Sequence, residues 1–128
     1  MAPVLSFDEA EQYLGEVADA LPAEIFTGLN GGITLLPDEV PSPHGAGLYT
    51  LGTYHYEPQG MGRYISIHYG SFVRVAGGRS LDDQKQSLRE VLHHELTHHL
   101  ESMAGVRDLE EKDARDIEAM RRGRPKDT

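Results

Sequence analysis

Four of the chain's seven histidines fall within seven consecutive residues, His93-His94-Glu95-Leu96-Thr97-His98-His99. They sit inside a segment whose apolar residues recur at helical spacing. At about 100° per residue from His94, Leu88, Leu92, Leu96, Leu100 and Met103 cluster between about 120° and 240°, while His98 lies near 40° and Glu101 near −20°. One face of this helix must be buried and the opposite face must present His94 and His98. Any fold the chain adopts has to seat the apolar stripe against a sheet or helix and leave the histidine pair open.

The spacing has a chemical reading. Positions i and i+4 are neighbours on one helix face, so His94 and His98 can direct imidazole nitrogens at one zinc ion. Glu95, about 100° away, can reach a water held there and act as general base. With seven His and twelve Glu in 128 residues, roughly 0.04 H-E-x-x-H matches are expected by chance, so the motif is informative but not decisive. His99 falls within the apolar stripe and is expected to be a hydrogen-bonded core residue. His93 is expected at its margin.

The rest of the chain reads as α+β. Ser6, Asp8 and Glu9 open an amphipathic helix carried by Ala10, Tyr13, Leu14, Val17, Ala18 and Leu21, which ends before Pro22. Ile25 to Leu29 suit a further turn. Asn30-Gly31-Gly32 breaks the chain before a first strand, Ile33-Thr34-Leu35-Leu36. Pro37 to Gly47 is a loop, with His44 solvated in it. Leu48 to Tyr56 and Arg63 to Tyr69 form a hairpin across Glu57-Pro58-Gln59-Gly60-Met61-Gly62. Gly70 to Arg79 fits a strand or a helix equally. Ser80 and Asp83 cap the long motif helix, expected to stop at Gly105, and Asp108 with Glu111 opens a last helix to about Arg122. The expectation is one domain over residues 1–120, with a small sheet of three to four strands and a frayed basic tail at 121–128.

Composition closes several alternatives. There is no cysteine, so disulfides, thiolate nucleophiles and Cys-ligated metals are excluded, and a metal here must sit on His and carboxylate. Nine carboxylates and no Lys or Arg precede Arg63, and the net charge is −9, which makes nucleic acid and anionic membrane poor partners. No apolar run approaches a membrane span or a secretory leader, so a cytoplasmic protein, expected to be a monomer, is the default.

Zinc catalysis usually takes three protein ligands. Downstream of the motif only carboxylates remain: Glu101, Asp108, Glu110, Glu111 and Asp113. Glu101 shares the ligand face but its Cα is about 4.5 Å further along the axis than that of His98. A chain that turns back after Gly105 can bring Asp108 to the metal, although Asp108 equally suits a helix cap. Upstream, His68 on the second hairpin strand either faces the cleft as an oxyanion stabiliser or points outward, and Tyr54, Tyr64 and Tyr69 pose the same alternative.

The chain resembles the small bacterial minimal-zincin, or zincin-like, metallopeptidase family. The resemblance rests on His94 to Glu101, on Gly105-Val106-Arg107-Asp108-Leu109-Glu110, on Asn30-Gly31-Gly32 and on Tyr69-Gly70-Ser71-Phe72. It spans most of residues 6–120 and implies a zincin-like fold, one Zn2+ per chain and cleavage of a peptide or protein substrate. It implies His94 and His98 as ligands, Glu95 as catalytic base and Asp108 as third ligand. Some relatives show H-E-x-x-H-x-x-G-x-x-D, whereas here Glu101 replaces that glycine and the nearest G-x-x-D begins four residues later. The alternative is a catalytically inactive module of the same fold that binds metal or peptide.

Overall fold

The computed structural model describes residues 3–121, with side chains described through residue 106. Its elements are helix α1 (Phe7–Asp19), a short 3-10 helix (Ala23–Phe26), strands β1 (Gly32–Leu36), β2 (Gly52–Glu57) and β3 (Gly62–His68), and helices α2 (Tyr69–Ala76) and α3 (Leu81–Arg121). This is the α+β architecture, with a sheet of three strands.

Helix α1 starts as a reciprocal capping box: the Ser6 hydroxyl accepts from the Glu9 N–H at 3.1 Å and the Glu9 carboxylate accepts from the Ser6 N–H at 2.9 Å. Those bonds to Ser6 also hold the Glu9 carboxyl below the usual carboxylate range. The turn before β1 needs its glycines. Gly32 adopts φ of 72°, and a Cβ on Gly31 would come within 2.6 Å of the Tyr64 Cβ.

The strand order is β1-β3-β2, with β1 parallel and β2 antiparallel to β3. Side chains of directly paired residues share a face. Gly52 with Ile67, and Tyr54 with Ile65, therefore face α3, because a Cβ on Gly52 would meet Val91 and the Tyr54 hydroxyl bonds His99. Thr53, Ser66 and His68 belong to the other face. The core joins Leu14 of α1, Leu35 of β1, Ile65 and Ile67 of β3, Phe72 of α2, and Leu88, Leu92 and Leu96 of α3.

Two expectations change. The ambiguous run after Gly70 is helical, since Ser71, Phe72 and Ala76 bury one side of α2. The break at Gly105 does not form: α3 runs unbroken to Arg121, so the separate C-terminal helix from Asp108 is part of α3. A mid-helix glycine costs about 1 kcal/mol relative to alanine, and the Glu, Lys, Ala and Arg residues that follow favour helix strongly enough to carry through it. The tail beyond Arg121 lies outside the described residues. Among the described residues no helix is long and apolar enough to cross a membrane.

Gln84 joins the chain's N-terminal segment to α3. Its fully buried amide accepts from the Leu5 N–H at 2.9 Å and donates to the carbonyls of Pro3 at 2.8 Å and Arg79 at 3.0 Å. Gln84→Leu keeps the volume but strands these groups. It is expected to lower stability by about 2–3 kcal/mol in urea unfolding, although the new side chain is more apolar. An unchanged midpoint would show that the clamp contributes nothing.

Candidate metal centre

The buried stripe of Leu88, Leu92 and Leu96 fixes the rotation of α3. His94 and His98 consequently lie on its exposed side, one turn apart. Their Nε2 atoms are 3.1 Å apart, with the rings nearly perpendicular at 89°. Two ligands of one tetrahedral zinc, each about 2.0–2.1 Å from the ion, stand about 3.3 Å apart, so the converging nitrogens fit a shared ion. The Nδ1 of His98 faces the Glu101 carboxylate at 3.9 Å, on the opposite side of the ring from Nε2. Glu101 thus suits an outer partner that orients the ring rather than a ligand.

Glu95 lies beside the pair but is only 6% exposed. Burial pushes its carboxyl above the ordinary carboxylate range, against the opposing pull of His94, His98, His55 and His68. It packs against the start of β2, where only glycine fits. A Cβ on Gly52 would stand 2.8 Å from Val91 Cγ1, 3.1 Å from Glu95 Cγ and 3.3 Å from Glu95 Oε2. Sequence reading passed over Gly52; its signal was a glycine inside an otherwise regular strand pattern.

A groove runs between α3 and β2 on both sides of this centre. One arm, of about 420 Å³, is bounded by Tyr49, Leu51, Glu90 and Val91. The other, of about 650 Å³, is bounded by Thr53, Tyr54, His98, Glu101 and Ser102. Thr50, Gly52, His94 and Glu95 line both arms.

The remaining histidines divide clearly. His99 is fully buried, as its place in the apolar stripe implied. Its Nε2 donates to the Thr27 carbonyl at 2.8 Å and its Nδ1 is hydrogen-bonded to the Tyr54 hydroxyl at 2.8 Å, which fixes the orientation of the ring. His93 is exposed. His68 neither faces the cleft nor points outward: it is 6% exposed, with Nδ1 on Asp38 at 2.8 Å and Nε2 on the Thr53 hydroxyl at 3.1 Å. Its role is to tie the loop after β1 to the sheet. Tyr64 stacks on His55, and Tyr69 donates to the Leu5 carbonyl at 2.6 Å.

Among the described residues no group of three His, Asp or Glu side chains converges on one point. Asp108, Glu110, Glu111 and Asp113 belong to the part of α3 whose side chains lie outside the described residues. The turn at Gly105 on which an approach by Asp108 depended is absent. In a continuous helix its Cα is ten residues, or about 15 Å of rise, beyond that of His98.

No family model matches the chain, and no curated protein does. Among solved structures the chain is similar to a conserved hypothetical protein from Thermo thermophilus, with a TM-score of 0.68 and 31% sequence identity. The match covers 78% of this chain and 98% of that one. By that identity and coverage, the chain belongs to the same family as this conserved hypothetical protein.

Proposed function

We propose that the chain is a metal-dependent peptidase of the zincin-like kind, in which His94 and His98 hold a divalent ion, zinc by preference, and Glu95 is the general base. The observation that carries this reading is the 3.1 Å convergence of the two Nε2 atoms next to a buried carboxylate in an open groove. When bound, the ion supplies Lewis acidity, lowering the pKa of a water and polarising the scissile carbonyl. Glu95 accepts the water's proton and later delivers it to the leaving amine. Its raised pKa suits both halves of that task, since a carboxyl nearer neutrality binds a proton more readily and can still release it. The hydrogen bond between Tyr54 and His99 holds the helix and strand walls in register.

Strand β2 ends the sheet, so its outer edge is open beside the groove among the described strands. An extended peptide laid along that edge would pair with main-chain groups from Gly52 onward, since the Thr50 N–H already donates to the Val40 carbonyl, and pass its scissile bond over Glu95. A non-catalytic module that holds metal or peptide is the second reading. It is favoured by the lack of a converging third donor among the described residues.

Glu95→Gln separates the two readings. It is expected to lower peptide hydrolysis by about 100-fold or more while zinc content stays that of the wild type. Because burial raises the folded-state pKa of Glu95, its ionised form weakens the fold. Stability therefore falls as pH rises through that pKa. In metal-free protein at neutral pH, Glu95→Gln should melt a few degrees higher than wild type, and the difference should shrink on acidification. Zinc loss equal to the activity loss would remove Glu95 from the role of base.

Gly52→Ala tests the seating of that carboxylate. The added methyl must displace Val91 or Glu95, with an expected stability cost of about 1–3 kcal/mol and a fall of at least tenfold in hydrolysis with zinc retained. Unaltered hydrolysis would show that the contact between β2 and Glu95 is not needed for chemistry.

A further inference from the structure

The larger arm of the groove runs from His98 to Ser102, whose hydroxyl is bonded by the first cation in the sequence. Arg63, on the α3 face of β3, donates from Nε to the Ser102 hydroxyl at 3.0 Å, and its guanidinium carbon lies 4.0 Å from the centre of the Tyr56 ring. These two contacts hold the side chain from both sides while engaging only one of its nitrogens. Among the described residues no carboxylate lies within 4 Å of it and its two Nη groups make no hydrogen bond. A planar guanidinium held this way presents a two-pronged donor matched to a carboxylate.

Charge elsewhere in the groove sharpens the point. Glu90, Glu95 and Glu101 line it, so a carboxylate on a bound peptide would be repelled at most positions and welcomed beside Arg63. The distance sets a register. Ser102 is seven residues past Glu95, about 10.5 Å along the helix, and an extended chain covers about 3.3 Å per residue. We propose that Arg63 is a specificity-determining residue that selects peptides carrying a carboxylate about three residues from the bond lying over Glu95. This rests on the peptidase reading for the position of that bond. The carboxylate can belong to an acidic side chain or to the peptide's own C-terminus.

Binding tests the inference apart from cleavage. The probes are fluorescent hexa-alanine peptides: one amidated, one with a free C-terminus, and an amidated set in which glutamate is scanned along the chain. Anisotropy is measured with full-length, zinc-loaded Glu95→Gln protein. One glutamate position, the free C-terminus, or both should bind about tenfold more tightly than the amidated hexa-alanine, and whichever does identifies the source of the carboxylate. Adding Arg63→Gln should erase that preference while leaving affinity for the amidated hexa-alanine unchanged, and Arg63→Lys should retain part of it. No carboxylate preference in the parent protein, a preference that survives Arg63→Gln, or equal weakening of every peptide would overturn the inference. Hydrolysis of the same peptides by wild-type protein is scored separately. A preference for carboxylate without cleavage supports Arg63 and rejects the peptidase.

Discussion

Everything at the candidate centre depends on how one helix is seated. Leu88, Leu92 and Leu96 are almost wholly removed from water, packed in one core with Ile65 and Ile67 of β3. Burying a leucine contributes about 1.5–3 kcal/mol, so rotating α3 by even one residue position would expose much of that stripe. His99, on the same side of the helix, locks the rotation with two hydrogen bonds, to Tyr54 and to the Thr27 carbonyl. With the rotation set, His94 and His98 must emerge toward the groove and Glu95 must lie at the boundary between core and cleft.

That boundary position explains the electrostatics of Glu95. Were it fully exposed it would be an ordinary carboxylate; were it deeper, ionisation would be prohibitive. It is instead pressed against a strand that has given up a side chain at Gly52 to make room. The fold thus accepts a desolvated carboxylate and a glycine inside a strand, each unfavourable to stability, beside the histidine pair. Such local conflicts between stability and sequence rules concentrate at functional positions.

Much of this was legible from residue patterns. The capping box at Ser6, the hairpin around Gly60 and the division between His99 in the core and His94 with His98 outside it all follow from short-range spacing. Features set by partners distant in sequence were not. His68 is held by Asp38 and Thr53, thirty and fifteen residues away, so strand alternation could not reveal that it is buried on both nitrogens. Gly105 carries a stop signal, yet the helix-forming residues after it outweigh one glycine. Gly52 and Arg63 gain meaning only once the sheet brings β2 and β3 alongside α3.

The central claim is that His94 and His98 share a divalent ion. The most direct measurement is elemental analysis of untagged protein after incubation with zinc and exhaustive dialysis, beside the His94→Ala, His98→Ala double variant. The account predicts about one zinc per wild-type chain and none in the double variant, with both proteins folded by circular dichroism. A wild type that retains no zinc, or a double variant that retains as much, would contradict it.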